Sequence, residues 1–525
     1  MLQQLNMMPS TLSARQRPRS LDKTPDQWLR WILGAGIVVS ILSFIYFFQQ
    51  GITTDFYDAG ARMLITRRVV DSPTPGLAQL GAVWLPLTHI AALPFIGIDW
   101  MYQTGIAGSL VSMASFVLSL YFVYRLSTLL TGKRAAGLVG VLVFVLNPNI
   151  LYMQSTPMTE LPMIAMAAGG CYYLTLATRN PDKRRWYLWS GVYLALGSLI
   201  RYENWIILFA AVPLLIYSFA RRRFAWARLE GTLIYWGYWA FIGIAAWLAW
   251  NLLIFGDPLY FQRGEYADPS NWVFEGSQVV GNFPMALMTY IFAILSTVGP
   301  MLIAAIAGIV IYLARTRLRA DSVMPFLPLA LFPFFVLVVF VGQRPLDVPQ
   351  ITGGVYNIRF GLIMSLPVAV FAAYLASQHR FLIGVVGAAA VISAGVLVGT
   401  LGIITTEEAR IQVNPDQVAA GEWFADHYHG EWMLLESFGN DIFQHTAGIR
   451  LSHVIYEGTY QTWELALAEP AQWAEWVVMR PAVGQGQPAD KLWRTYHDDP
   501  GFHQDYELAY KNPGLEIYRR RPASQ

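Results

Sequence analysis

Cysteine is almost missing from this chain. Cys171 stands alone inside an apolar run, so no intrachain disulfide can form and the redox compartment cannot be read. Charge is scarce too: Asp, Glu, Lys and Arg make up 13% of the 525 residues and hydrophobic residues 55%, where soluble domains carry roughly 25% charged residues. That composition excludes an ordinary soluble enzyme and fits a membrane protein. There is no phosphate-binding loop, no Gly-rich dinucleotide fingerprint and no HExxH, so the sequence shows no nucleotide or nucleotide-sugar site. Heptads, short-period repeats and basic-aromatic stretches suited to nucleic acid are also absent. The first 30 residues are polar and basic with no apolar core, which reads as a cytoplasmic tail over 1–30 rather than a cleavable signal.

Long apolar runs are what the chain does have. A membrane helix needs about 20 mostly apolar residues. By that rule spans are expected near 31–50, 104–124, 134–152, 158–178, 186–200, 204–220, 230–255, 284–314, 324–342, 358–377 and 380–402, about eleven in all. Basic residues cluster in alternate loops, at Lys133–Arg134, Lys183–Arg185, Arg221–Arg223, Arg315–Arg319 and Arg380. Positive loops mark the cytoplasmic face, so a multi-pass protein of the inner (plasma) membrane is expected. Its N-terminus is cytoplasmic and its C-terminal part extracytoplasmic. The expected organisation is a transmembrane domain over 31–405, with a long first outer loop at 51–103, and a small outer α/β domain over 406–525. In the latter, "EWMLLE", "SHVIY", "EWVVM" and "GLEIYRR" read as strands and "PDQVAAGEWFADHY" as a helix.

The informative residues lie at the outer ends of these spans. In "ITTDFYDAGARMLITRR", Asp55 and Asp58 are three apart and would share a helix face, with Thr53 or Thr54 as cap. The bland reading pairs Asp58 with Arg62 and makes Asp55 a helix cap. "VWLPLTHIAALPF" (83–95) is too short to span and suits the interface; its His89 is more often a structural hydrogen-bonder. Glu160 follows "STP" at the mouth of an apolar helix, where the macrodipole tolerates a carboxylate. The polar run Asn147, Asn149, Tyr152, Gln154, Ser155 and Thr156 at the same depth suggests a wet cavity. "LIRYENW" offers Arg201, Tyr202 and Glu203, either a salt-bridged turn or a ligand-binding corner. "GGVYNIRFG" offers Tyr356, Asn357 and Arg359, the arginine suited to lipid headgroups or to a phosphate. Arg263 lies in the long loop 256–283. His427 and His429 have no evident third metal ligand.

Carboxylates and arginines converging at an outer membrane rim fit sugar transfer from a lipid-phosphate carrier. A carboxylate takes the proton of an acceptor hydroxyl, arginines stabilise the leaving phosphate, and the lipid tail keeps the site at the bilayer surface. The segments "TTDFYDAGARML", "WLPLTHI", "NPNILYMQSTPMTELP", "LIRYENW" and "YNIRFGLIMSLP" resemble the GT-C superfamily of integral-membrane glycosyltransferases. Within it they look like the family of protein O-mannosyltransferases and the lipid A aminoarabinose transferase (glycosyltransferase family 39). The resemblance implies a polyprenyl-phosphate sugar donor, a hydroxyl acceptor on a protein, lipid or glycan, inversion at the anomeric carbon, and a first-loop acidic motif, commonly Asp-Glu, whose Asp is the base. Asp55 matches that Asp by position, but Phe56 stands where the Glu belongs and the next carboxylate is Asp58, so both remain candidates. Glu160 falls where the family often has a second acidic residue. No cofactor is certain from sequence; the carboxylates could hold Mg²⁺ or Mn²⁺.

Two rivals are weighed against this expectation. A lipid or solute transporter, or flippase, would place polar or broken helices near the midplane, and mid-span charge is almost absent here. A non-catalytic envelope scaffold leaves the convergence of carboxylates and arginines without a task.

Overall fold

The computed structural model describes residues 26–268, 277–399, 402–482 and 488–522. Most of the tail expected at 1–30 and the middle of the 256–283 loop lie outside the described residues. Among them, seven helices are long and apolar enough to cross a membrane, and the protein is a multi-pass membrane protein. Its outer surface shows the solvent it was built for. Trp31, Leu253 and Ile303 are 75%, 81% and 70% exposed, while Ser112, Asn149, Glu160 and Thr175 are fully buried. Apolar outside and polar inside is what hydrocarbon imposes.

Gln27–Gln49, Ile106–Thr131, Glu160–Arg179, Glu203–Arg221 and Trp226–Phe255 match expected spans. The single span expected at 284–314 is instead two helices, Phe283–Val298 and Met301–Thr316, meeting at 109°. Gly299 takes φ +63° and Pro300 offers no N–H, so the helix cannot continue through them. The 134–152 span is broken as well. Arg134–Val145 stops before Pro148–Met153, whose start is capped by Asn147 accepting from the main-chain N–H groups of Asn149 and Ile150.

The wet mouth expected around Asn147 to Thr156 is not there. Asn149 accepts from Thr405 Oγ1 at 2.9 Å, Tyr152 donates to the Ile52 carbonyl at 2.7 Å, and Ser40 donates to Gln154 at 2.6 Å. These polar groups stitch helices together, because buried side chains in lipid must find protein partners.

The C-terminal part forms a five-stranded sheet in the order β2-β1-β3-β5-β4. Its strands are β1 Met433–Leu435, β2 Val454–Ile455, β3 Trp476–Met479, β4 Tyr506–Lys511 and β5 Glu516–Arg520. β1 runs parallel to β2 and β3; β5 runs antiparallel to β3 and β4. The sequence reading missed β4, whose "YELAYK" is exposed at four of six positions and so shows little apolar run. The helix Pro415–His427 packs on Asp441–Thr446, which in turn packs on Tyr57–Arg68. That contact seats the sheet on the end of the bundle where Glu160 and Arg201 lie.

Candidate active site

Tyr57–Arg68 opens with Asp58 in its first turn. Its N-cap position is Phe56, so Asp55 lies ahead of the helix, shares no helix face with Asp58, and is not capped into place by Thr53 or Thr54. The two carboxylates then diverge. Asp58 Oδ2 accepts from Arg359 Nη2 at 2.6 Å, with the Asp58 side chain 30% exposed at the rim. Asp55 is half-buried, and that burial raises its pKa against the opposing pull of Arg410.

Arg359 stands on a 3-10 turn, Ile358–Met364, wedged against the Phe283–Val298 helix. A side chain at Gly361 would overlap the Ala293 carbonyl, so only glycine lets the turn sit this deep. From there Arg359 faces three carboxylates: Asp58, Glu160 Oε1 at 3.4 Å and Glu408 Oε1 at 3.2 Å. Its main-chain N–H also donates to Glu408 Oε2 at 3.1 Å, and its guanidinium lies 4.9 Å from the centre of the Phe56 ring. Glu160 Oε1 accepts from Arg201 Nη1 at 2.9 Å, and Arg201 in turn holds Glu203 at 2.6 Å. Two guanidiniums therefore carry four carboxylates in one continuous network, which is how buried charge survives beside a bilayer.

Beside this network lies a small cavity lined by Arg62, Thr66, Thr88, His89, Gly108 and Pro157, among others. Arg62 sits 4.4 Å over the Trp84 ring. Burial lowers its pKa to about 10, partly offset by Asp58, so it stays cationic at neutral pH. Burial pushes His89 down to about 3, keeping the imidazole neutral. Three atoms on this cavity, Arg62 Nε, Thr88 Oγ1 and His89 Nε2, are buried with no hydrogen-bond partner among the described residues. Thr66 Oγ1 lies 2.7 Å from the Arg62 carbonyl and 2.8 Å from His89 Nδ1. It has one proton to give. That proton goes to the Arg62 carbonyl, so the imidazole proton sits on Nδ1 and Nε2 is left as an acceptor.

The other expected residues divide. Tyr356 is half-buried near Asp58, and burial raises its pKa to about 12. Asn357, at φ +53°, donates to the Pro345 carbonyl and sets the turn that carries Arg359. Tyr202 faces away, donating to the Val83 carbonyl and stacking on Phe261. Arg263 is 66% exposed and pairs with Asp257 at 3.5 Å. Neither joins the network. Glu408 was missed, although "ITTEEAR" at the end of the last span carries the same carboxylate-at-a-helix-end signal that marked Glu160. Among the described residues, no three His, Cys, Asp or Glu side chains are grouped to hold a metal, and the network carboxylates are engaged by arginines, so the Mg²⁺ or Mn²⁺ expectation finds no fitting donor set.

Residues 101–250 match the family model for dolichyl-phosphate-mannose-protein mannosyltransferase. No curated protein matches the chain in sequence. The structure superposes on ArnT from Cupriavidus metallidurans bound to undecaprenyl phosphate with a TM-score of 0.60 and 10% identity, covering 94% of this chain and 98% of that one. The two chains share one fold, of the GT-C kind. A second GT-C likeness is the Archaeoglobus fulgidus oligosaccharyltransferase in complex with zinc and sulfate, at TM-score 0.52 and 12% identity, over 93% of this chain and 73% of that one. The archaeal AglB bound to an inhibitory peptide and a dolichol-phosphate gives TM-score 0.50 and 11% identity, over 86% and 69%.

Proposed function

We propose that this GT-C protein transfers a sugar from a polyprenyl-phosphate donor to a hydroxyl acceptor at the extracytoplasmic face of the membrane. The observation that carries the reading is the cavity beside Asp58, where Arg62 Nε, Thr88 Oγ1 and His89 Nε2 are buried without partners. Buried polar atoms left unpaired cost roughly 1–3 kcal/mol each, so their grouping marks a place where a polar ligand group completes them. The Arg62 cation and the Thr88 hydroxyl suit a phosphate oxygen, and the unprotonated Nε2 of His89 suits a hydroxyl donor beside it. The bias of basic residues to alternate loops supports this end of the bundle as the extracytoplasmic one.

In this reading Asp58 is the general base. It is the network carboxylate that reaches the rim, so an acceptor hydroxyl can approach it while Arg359 holds its orientation. Asp58 accepts the hydroxyl proton as the oxygen attacks the anomeric carbon; the bond to phosphate oxygen breaks and the phosphate takes the electron pair. Arg62 stabilises that growing charge. Attack opposite the leaving phosphate inverts the anomeric centre. Glu160, fully buried, fixes Arg201 and Arg359.

The test is release of labelled sugar from a polyprenyl-phosphate hexose by the purified protein in liposomes, with an envelope extract supplying acceptor. Wild-type turnover that disappears in Asp58→Asn supports the reading. Absence of turnover with every carrier tried, while lipid crosses the bilayer, would sink it in favour of transport.

A further inference from the structure

A second cleft opens between the loop after the Trp226–Phe255 helix and the C-terminal sheet. It holds about 540 Å³ of open space, part of it continuous with solvent, and is lined by Glu265, Tyr266, Glu436, Phe438, Arg480 and Arg494 among others. The Tyr266 and Phe438 rings stand 5.2 Å apart on one wall. Glu436 and Arg480 form the floor, 5% and 4% exposed. Arg480 gives one nitrogen, Nη1, to the Pro488 carbonyl at 2.9 Å, while its Nε is buried with no partner among the described residues. The main-chain N–H of Lys491 donates to Glu436 Oε2.

We propose that this cleft binds a saccharide unit of the acceptor, which makes the acceptor a glycan or glycolipid; the assignment of that saccharide as acceptor rests on the transfer reading above. The chemistry is specific. Paired aromatic faces suit the apolar C–H face of a pyranose. A carboxylate and a guanidinium side by side offer acceptors and donors to neighbouring hydroxyls, and mixed charge argues against a purely anionic or cationic ligand. The place is specific as well. Phe438 lines the cleft, and the next residue, Gly439, donates its N–H to Tyr57 Oη at 3.1 Å; Tyr57 also donates to Asp441. Tyr57 adjoins Asp58 in the chain. One turn, 437–441, is thus the wall between the cleft and the helix that carries the proposed base. Gly439 is required there, with φ +84° and Arg480 within 2.9 Å of where a Cβ would stand.

The experiment is saturation-transfer NMR on the full chain in nanodiscs, with a panel of methyl α- and β-pyranosides of mannose, glucose and galactose as probes. Tyr266→Ala and Arg494→Ala are compared with wild type, and thermal melts confirm that each variant is folded. At least one glycoside is expected to bind wild type and to bind at least about fivefold more weakly to Tyr266→Ala. No binding to wild type, or binding indifferent to both substitutions, overturns the cleft. Wild-type donor hydrolysis measured on the same sample separates the two readings. Hydrolysis without substitution-sensitive glycoside binding overturns this proposal alone. Such binding without hydrolysis supports the cleft and counts against the donor reading.

Discussion

Arg359 holds Asp58 at 2.6 Å and, through both its side chain and its own main-chain N–H, holds Glu408. A partly exposed carboxylate at the rim is thereby tied to a fully buried one through a single residue. Preorganisation of this kind lets a carboxylate act without first being ordered. It also separates Asp58 from Asp55, which the sequence could not do.

Asp58→Asn is expected to lower sugar release by about 10² or more, the usual worth of a general base, while Asp55→Asn keeps more than about a tenth of wild-type turnover. Single-turnover assays of both variants check this. Equal losses in the two would return Asp55 to the site.

Arg359→Ala leaves Glu408 and Glu160 buried without their shared cation. Removing one partner of a buried ion pair costs about 3–5 kcal/mol. A large fall in Tm is expected, and a smaller one for Glu408→Gln, which removes a charge rather than stranding one.

Arg62→Ala is expected to weaken binding of polyprenyl phosphate about tenfold or more, the worth of a charge-assisted hydrogen bond. Binding of the neutral polyprenol should not change. Titration calorimetry in nanodiscs reads both, and equal weakening would make Arg62 a packing residue.

Asp490 gives a pH dependence whose sign is fixed. Burial raises its pKa to about 7, against about 3.9 unfolded. Between those values the folded state binds the extra proton, so stability is greatest below about pH 4, falls as pH rises towards 7, and is flat above. Asp490→Asn should flatten the slope of Tm between pH 5 and 7. Its absolute Tm should be lower, because an amide nitrogen replacing Oδ2 cannot accept the Arg480 N–H that now lies at 2.6 Å. A slope unchanged in the variant assigns the titration elsewhere.

Tyr57→Phe strands the Gly439 N–H and an Asp441 oxygen, at about 1–3 kcal/mol each. Hydrogen exchange should show the 437–446 region opening more often in this variant. Unaltered exchange would mean that the contact carries no coupling.

How much of this was legible in the sequence follows from the range of each signal. Span positions and loop charge are local, and they were readable. The break at Gly299-Pro300 was also written in the chain, but apolar content on both sides hid it. Glu160, Arg201 and Arg359 stood out because charge at a lipid-facing helix end needs a reason. Their mutual pairing did not, since it joins residues 41 and 199 positions apart. Tyr202 misled because a tyrosine beside an arginine looks like a ligand pair, whereas its ring was needed to pack Phe261. The Asn147–Thr156 run misled for a related reason: polar groups within a bundle serve cohesion as readily as hydration.

The network has a consequence for how the protein is made. Its members come from residues 58, 160, 201, 203, 359 and 408, so its last carboxylate leaves the ribosome after every span has been synthesised. A nascent chain halted anywhere before Glu408 has Arg359 without one of its three anions and Asp58 without its fixed orientation. In the transfer reading proposed above, competence then arrives only at the end of insertion, and unfinished chains in the bilayer leave lipid-linked donor unused.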